Sequence, residues 1–276
     1  GGVAEPAASV GWIAAASLAA LMARGAANAR RPVARDFRIR IPKQARGPAT
    51  LKIAVASDLH LGGAVGRRLL ERLVREVNAF GPDLVLLPGD IVDDEVGPFL
   101  EKGMPELFRK LAPRLGVYAC PGNHDPFGGR EGEKFAEAMA ASGIRMLMDE
   151  TVNIGGELTL AGRLDRSAPR YGLARKKLAE LLEGADRSVP VVLLDHQPLG
   201  FSEAEEAGVD LMLCGHTHRG QMAPNHLLTR RLFDLDWGYL SRGGFHAIVS
   251  SGYGFWGPPI RIGSRCEWIR VTLELH

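Results

Sequence analysis

The sequence has little cysteine, no excess of one charge and, over one stretch, no charge at all. Its three cysteines, Cys120, Cys214 and Cys266, lie far apart among 276 residues and form no CxxC pair. A disulfide framework and a zinc ribbon both need closely spaced cysteines, so both are disfavoured and a reducing compartment is favoured. The formal net charge of +2 is too close to neutral to indicate a nucleic-acid groove, and we predict no nucleic-acid partner.

The stretch without charge runs from Pro6 to Ala23 and is rich in alanine. As a helix rising about 1.5 Å per residue, it is just long enough to cross a bilayer core of about 30 Å. Arginines then follow in quick succession, and positive charge after an apolar helix is typical of a cytoplasmic side. The arginines are Arg24, Arg30, Arg31, Arg35, Arg38 and Arg40.

We therefore predict that residues 1–29 anchor the chain in the cytoplasmic (inner) membrane, with the remainder facing the cytoplasm. The chain starts Gly1-Gly2 without methionine, and we expect the helix to be the last transmembrane segment of a truncated region. A buried or amphipathic helix of a soluble protein is the alternative, because alanine is only weakly hydrophobic.

The rest of the chain predicts one α/β layered domain over residues 51–276, preceded by a linker and an edge strand (FRIRIP) in residues 30–50. Apolar runs such as LVLLP alternate with amphipathic stretches such as GRRLLERLVREVNAF, and this alternation is typical of strands packed against helices. The helical stretches are predicted at 66–80, 98–112, 131–142 and 171–184. The aromatic residues near the end, among them Trp256, are predicted either to pack in the core or to form a wall for an acyl chain.

Five buried runs end in residues that can carry chemistry. The motifs are SDLH (57–60), GDIVD (89–93), PGNHD (121–125), DHQP (195–198) and GHTH (215–218). Ligands collect beyond the carboxyl ends of strands in open α/β sheets, so these side chains are expected to meet. Each motif alone has an ordinary alternative, since GHTH is as consistent with a loop as with a ligand pair and PGN is a common turn. Five motifs in register with five strand ends favour a site for Mn²⁺, Fe, Zn²⁺ or Co²⁺.

The order DLH … GDxxD … GNHD … DH … GHTH resembles the calcineurin-like metallophosphoesterases, from about residue 51 to the end. The phrases AGRLDRS (161–167), LLDHQPL (193–199) and SGYGFWGPPIRIGSR (251–265) are similar to the bacterial, membrane-associated branch related to YkuE and YaeI. This resemblance implies a four-layer α/β/β/α sandwich with two divalent metal ions, manganese being favoured. Position by position, it implies that Asp58, His60, Asp90 and His218 hold one metal. Asp90, Asn123, His196 and His216 would hold the other.

The resemblance also implies a catalytic pair and a reaction. His124 would face the scissile phosphate, oriented by Asp125, while a hydroxide that bridges the metals attacks a phosphodiester or pyrophosphate bond. The predicted anchor favours a lipid-linked substrate, similar to UDP-diacylglucosamine. Arg163, Asp165 and Arg166 are expected either to contact this substrate or to form a structural ion pair.

Two other functions remain open from the sequence. One is a phosphodiesterase or phosphatase for soluble nucleotides or phosphoproteins. The other is a metal-stabilised binding module without turnover, against which the complete ligand set and His124 argue.

Overall fold

Two mixed β-sheets and the helices on their outer faces make up the fold. The computed structural model describes residues 4–44 and 46–276, so the first three residues of the predicted anchor lie outside the described residues. The strands are β1 (Val33–Ile41), β2 (Thr50–Val55), β3 (Leu84–Pro88), β4 (Val117–Cys120), β5 (Ile144–Met146), β6 (Glu150–Ile154), β7 (Leu158–Gly162), β8 (Val191–Leu194), β9 (Leu211–Cys214), β10 (Gly238–Arg242), β11 (Phe245–Val249) and β12 (Glu267–Leu275). The α-helices are α1 (Ala4–Arg30), α2 (Arg67–Phe80), α3 (Gly97–Glu101), α4 (Pro105–Phe108), α5 (Gly129–Ala141), α6 (Leu178–Leu181), α7 (Phe201–Glu206) and α8 (His226–Leu232).

The strand order is β1-β12-β2-β3-β4-β5 in the first sheet and β10-β11-β9-β8-β7-β6 in the second. Buried side chains from both sheets, such as Ile53, Leu86, Val192 and Leu213, form a common core between them. A second core lies between the first sheet and α2 to α5, and a third lies between the second sheet and α6 and α7. The fold is therefore the four-layer α/β/β/α sandwich that the sequence predicts.

Helix α2 shows how the local pattern determines an element. Its buried residues Leu70, Leu73, Val74 and Val77 recur at helical spacing and cover the first sheet. The helix ends at Gly81, whose φ of 61° lies in the left-handed region, where glycine adds no steric cost. The helix predicted for 66–80 is thus confirmed almost to its boundaries.

Two predicted helices are shorter than the sequence pattern indicates. The stretch 98–112 divides into α3 and α4, because Gly103 has a φ of 58° and Pro105 begins a new helix. Of the stretch 171–184, only α6 is α-helical. The preceding residues are held elsewhere, since Arg175 pairs with the buried Asp195 and the amide of Lys176 donates to Asp149 at 2.7 Å.

The segment predicted as a linker and edge strand belongs largely to the first sheet. Strand β1 pairs in parallel with β12 from Val33 to Ile41 and forms the edge of that sheet. Helix α1 precedes it, and residues 8–24 of this helix are exposed. The last turns of α1 pack against the domain, where a Cβ on Gly25 would lie 2.8 Å from Ile260.

Candidate metal centre

The five polar motifs that follow the buried strands meet at one end of the sandwich. Strands β2, β3 and β4 run parallel in the first sheet, and β8 and β9 run parallel in the second. The loops after them therefore lie at the carboxyl ends of these strands, on one side of each sheet. A hydrogen bond joins the loops of the two sheets, because the backbone amide of His216 donates to the carboxylate of Asp58 at 2.8 Å. The predicted ligands of both sheets therefore lie in one cluster.

Asp58, His60 and His218 form the first group of this cluster. Their donor atoms all lie within 4.8 Å of one another, and all three residues are buried. The Nε2 atoms of His60 and His218 are 3.1 Å apart, and Nε2 of His218 is 3.5 Å from Oδ1 of Asp58. Two imidazoles and a carboxylate in this arrangement can hold a divalent transition-metal ion.

Asp90, His196 and His216 form the second group, whose donor atoms also lie within 4.8 Å of one another. Oδ2 of Asp90 is 3.0 Å from Nε2 of His196. The same oxygen is 3.7 Å from Nε2 of His60, which belongs to the first group. One carboxylate thus faces both groups, as a ligand that bridges two cations must.

Two oxygens of the predicted ligand set test whether the residues fit a metal. Oδ2 of Asp58 and Oδ1 of Asn123 are buried and, within the described residues, have no hydrogen-bond partner. A buried acceptor without a partner costs about 1–3 kcal/mol, and a bound cation would remove that cost. The donor set therefore fits divalent metal ions.

Two glycines allow the chain to pass close to the carboxylates. A Cβ on Gly215 would lie 2.1 Å from Oδ2 of Asp58, and one on Gly122 would lie 2.2 Å from Oδ1 of Asp90. No side chain fits at either distance, so both motifs need glycine for the approach of the backbone rather than for its flexibility.

The ionisation of Asp90 and His216, two members of the second group, suits cations. Burial works against the ionisation of Asp90, but the neighbouring histidines, His196 before His60 and His124, together outweigh it and hold the pKa of Asp90 well below its usual range. Burial, assisted by His196, lowers the pKa of His216 to about 4. At neutral pH the carboxylate is therefore charged and the His216 imidazole is neutral, which are the forms that bind metals. Burial works against the charged form of His196, but the neighbouring carboxylates, Asp90 first, outweigh it and raise the pKa of His196, so a bound cation would have to displace its proton.

Arg261 is a component of the site for which the sequence predicted no role, although it lies in the phrase SGYGFWGPPIRIGSR (251–265). It is fully buried, and its Nη2 lies 2.7 Å from Nδ1 of His218. The same guanidinium donates to the carbonyls of His218, Ser251 and Gly254 at 3.1, 2.5 and 2.6 Å. Arg261 thus fixes the ring of His218, and because it lies in an irregular loop, no periodic pattern in the sequence pointed to it.

The structure places His124 at the cluster but gives it a different partner from the expected one. Nδ1 of His124 is 2.9 Å from Oδ1 of Asp94, and the side chain of His124 is 22% exposed. Asp125, which the sequence analysis expected to orient His124, is fully buried. Its oxygens accept from the backbone amides of the neighbouring loops instead, so Asp94 takes the expected place of Asp125 beside His124.

Asp125 joins two of the loops that carry predicted ligands. Its Oδ1 accepts from the amides of Ile91 and Val92, and its Oδ2 accepts from the amide of Gly122, each at 2.9 Å. Burial, followed by the nearby Asp90, raises the pKa of Asp125 to about 7. The residue therefore positions the loops after β3 and β4 relative to each other.

Asp93, the last residue of GDIVD, also reaches the cluster. Its Oδ1 is 3.2 Å from Nδ1 of His60, and with His60 and His124 it forms a third group of donors within 4.8 Å. The hydrogen bond leaves Nε2 of His60 directed toward His218. A metal-bound imidazole commonly has such a carboxylate at its second nitrogen.

The three residues of AGRLDRS do not form one surface. Arg163 is buried and lies 3.5 Å from Asp195. Asp165 is also buried, and its two oxygens accept from the side-chain Nε2 of Gln197 at 3.0 and 3.1 Å. Arg166 is exposed. The contacts of Arg163 and Asp165 are those of a structural ion pair and of structural hydrogen bonds, and neither residue belongs to an open substrate surface.

A cavity of about 480 Å³ opens above the second group. The polar residues that line it include Asp90, Asn123, His124, His216 and, from the first group, His218. Its apolar wall consists of Met222, Leu228 and Trp256, the last two being 62% and 55% exposed. Donor atoms and apolar surface therefore line the same opening.

Comparison with known proteins identifies the class to which this fold and site belong. Residues 51–220, more than half of the chain, match the family model described as calcineurin-like phosphoesterase. The chain therefore belongs to the calcineurin-like phosphoesterase family, in which hydrolysis of a phosphoric ester is the activity class.

Two relatives narrow the assignment within that family. The chain is 32% identical to "Transmembrane protein with metallophosphoesterase domain" of Danio rerio, over 93% of this chain and 61% of that protein. It is 29% identical to "Phosphodiesterase YaeI" of Escherichia coli, over 63% of each. The similarity to YaeI supports a bacterial YaeI-like branch. The chain spans about three fifths of the length of both relatives.

A solved structure agrees with the fold. The crystal structure of a Staphylococcus aureus protein assigned as a 5'-nucleotidase superposes with a TM-score of 0.51, at 12% identity, over 80% of this chain and 54% of that one. At this identity the likeness concerns the fold alone.

Helix α1 has the length and composition of a membrane span. By length and composition, residues 8–30 are long and apolar enough to cross a membrane, and little of this stretch is buried against the domain. Together with the transmembrane relative, this supports an association with a membrane.

Proposed function

We propose that the chain hydrolyses a phosphodiester or pyrophosphate bond of a lipid-linked substrate at a centre of two divalent metal ions, manganese being favoured. The observation that carries the proposal is the common opening in which metal-binding side chains and an exposed apolar wall meet. In this arrangement, residues 1–29 anchor the chain, residues 30–50 form a linker and an edge strand, and residues 51–276 form the catalytic domain.

The proposed ligands divide into two sets that share one carboxylate. Asp58, His60, Asp90 and His218 hold one metal, and Asp90, Asn123, His196 and His216 hold the other. When bound, such a pair lowers the pKa of a water molecule and neutralises charge on the phosphate oxygens. Asp93 and Arg261 orient the rings of His60 and His218 through their second nitrogens, and Asp125 holds the loops of Asp90 and Asn123 together.

His124 is the proposed proton donor. Its Nδ1 faces Asp94, which leaves Nε2 as the atom that can give a proton to the leaving oxygen. His124 lines the cavity and is partly exposed, which suits contact with a substrate rather than with a metal alone.

The lipid part of the proposal rests on the surface around the opening. Helix α8 exposes Leu227, Leu228 and Leu232, and Trp256 lies on the same cavity as Leu228. A glycolipid with a nucleoside diphosphate, similar to UDP-diacylglucosamine, would place its phosphates over the donor atoms and its acyl chains against this wall. The anchor keeps the opening near a bilayer, and the arginines after α1 favour its cytoplasmic face.

The first experiment tests catalysis. The wild-type chain is expected to hydrolyse bis(p-nitrophenyl) phosphate with Mn²⁺, and Asp90→Asn is expected to lose this activity together with bound metal. Asp36→Asn on the exposed edge strand β1 removes the same charge far from the donors and is expected to retain the activity. Metal binding without hydrolysis in the wild type would instead favour the non-catalytic binding module.

The second experiment tests the substrate class. We expect faster hydrolysis of a UDP-linked diacyl lipid in mixed micelles than of the same nucleotide without acyl chains. If the soluble nucleotide were cleaved equally fast, the apolar wall would have no role in recognition and the soluble phosphodiesterase would be the better assignment.

A further inference from the structure

A second cavity, of about 310 Å³, lies where α1 meets the domain, and its walls are mainly polar. Four arginines from separate parts of the chain line it, together with one tryptophan and one carboxylate. The residues of this arginine pocket are Arg24, Arg35, Arg219, Arg265, Trp237 and Glu267.

The charge of the arginine pocket is not balanced by its own residues. Within the described part of the chain, Arg35 is the member with a carboxylate partner, Glu267, at 2.6 Å. The other oxygen of Glu267 already accepts from Nε1 of Trp237 and from the amide of Ser251, each at 2.9 Å. One negative charge thus faces four positive charges, which leaves three in excess, and an anion would relieve their repulsion.

Three of the four guanidinium groups are also held in place before any ligand binds. Those of Arg35 and Arg219 lie 4.1 and 3.9 Å from the ring centroid of Trp237, which is the distance of a cation–π contact. Nε of Arg265 donates to the carbonyl of Arg31 at 3.2 Å. Ordering long side chains is a main cost of binding, and these contacts reduce it.

The position of the pocket indicates where an anion would come from. Arg24 and the exposed apolar residues 8–23 belong to the same helix, α1. If α1 enters a bilayer, Arg24 lies at the level of the lipid headgroups, where basic pockets meet lipid phosphates. The forked guanidinium matches a phosphate group with two parallel hydrogen bonds.

We propose that the arginine pocket is a binding site for a phosphate group, separate from the metal centre, and that the phosphate belongs to the headgroup of an anionic phospholipid. A free phosphate ester has the same chemistry and is the other source. The site does not depend on the proposed hydrolysis, because its residues are not among the proposed metal ligands.

The test titrates the full chain in detergent with dihexanoyl phosphatidate, dihexanoyl phosphatidylcholine and inorganic phosphate, and follows binding by calorimetry. A chelator is present throughout, so that metal ions cannot retain phosphate at the other site. The double variant Arg24→Gln/Arg265→Gln removes two guanidiniums from the pocket. Arg30→Gln/Arg31→Gln is the matched control, because it removes the same charge from the exposed last residue of α1 and the residue after it, neither of which lines the pocket.

We expect the wild type to bind phosphatidate at one site and phosphatidylcholine not measurably. The pocket variant should bind phosphatidate at least tenfold more weakly, and the control variant should stay within about twofold of the wild type. Inorganic phosphate that binds as tightly as phosphatidate, with the same dependence on the variants, would support the phosphate site and identify free phosphate as the source.

Two results would overturn the proposal. Equal weakening in both double variants would mean diffuse attraction by positive charge, and absence of phosphatidate binding to the wild type would mean that no site exists. Thermal unfolding and hydrolysis of bis(p-nitrophenyl) phosphate after metal is restored verify that each variant is folded. Should the double variant unfold early, Arg24→Gln alone carries the same test, with a smaller expected loss.

Discussion

Asp58, Asp90 and His216, three of the proposed metal ligands, have backbone φ angles of 51°, 53° and 73°. Residues other than glycine pay about 1–2 kcal/mol each for this left-handed conformation. Such strain persists where the surrounding contacts over-determine it, and here it coincides with the convergence of donor atoms. The three residues lie in the loops after their strands in this conformation, so the loop backbone contributes to the positions of the donor atoms.

A substitution at Gly215 tests whether the backbone positions Asp58 for metal binding. Gly215→Ala places a methyl group 2.1 Å from Oδ2 of Asp58, so we expect Asp58 to be displaced and metal affinity to fall by at least tenfold, measured by competition with a chelator. Gly63→Ala is the matched control, since nothing lies within 4 Å of its Cβ position. Unchanged metal affinity in Gly215→Ala would show that Asp58 is not a ligand.

His124 is expected to act on the reaction and not on the metals. His124→Asn should retain both metal ions and lose about 10²–10⁴-fold in turnover of bis(p-nitrophenyl) phosphate, the usual contribution of a proton donor. Asp94→Asn removes only the partner of Nδ1 and should cause a smaller loss. Near wild-type turnover of His124→Asn with full metal content would remove this residue from the mechanism.

At the scale of elements, α8 combines three exposed leucines with Arg230 and Arg231 in seven residues. Exposed apolar side chains beside basic ones are typical of helices that lie at a membrane surface. Of these leucines, Leu228 reaches the cavity, whereas Leu227 and Leu232 are not among its lining residues. The outward part of α8 can therefore be altered without changing the opening.

The double variant Leu227→Ser/Leu232→Ser tests this role of α8. We expect unchanged hydrolysis of bis(p-nitrophenyl) phosphate in solution, and at least a tenfold loss on a diacyl phosphodiester embedded in vesicles, because each buried leucine contributes about 1.5–3 kcal/mol. Leu100→Ser on α3, also an exposed leucine, is expected to leave both rates unchanged. Equal rates on vesicles for the wild type and the double variant would contradict membrane contact through α8.

The sequence predicted the site best where it depends on the order of strands and the loops that follow them. The strand-end motifs predicted that Asp58, Asp90 and His216 meet, because parallel strands end at a common edge whatever the details of the loops. The partner of His124 was predicted wrongly. Asp125 follows His124 in the sequence, but backbone amides occupy its oxygens, and Asp94 contacts His124 instead. Arg261 could not be predicted, since its burial depends on loops that fold against α1 and His218.

On the scale of the whole molecule, one path of contacts joins α1 to the metal centre. The amide of Arg261 donates to the carbonyl of Gly25 at 2.9 Å, and Asn28 donates to the carbonyl of Arg261 at 3.1 Å. The guanidinium of the same Arg261 fixes His218. The last turns of α1 are thus part of the support of the site, whereas its exposed part is free to lie in a membrane.

This division predicts different outcomes for two truncations of α1. A chain that starts at Arg24 should fold, keep wild-type hydrolysis of bis(p-nitrophenyl) phosphate and lose retention in the membrane fraction after a carbonate wash. A chain that starts at Pro32 also lacks Gly25 and Asn28. Its metal affinity should fall about 10–100-fold, the usual cost of losing support behind a ligand.

Metal titration and hydrolysis are measured for both truncations, and thermal unfolding separates a loss of fold from a loss of metal. Equal metal affinity in the two truncations would show that α1 contributes no support to His218. Release of the full-length chain by the carbonate wash would contradict the anchor itself. The hydrolysis would then have to be explained without a bilayer, and the exposed leucines of α8 would need another partner.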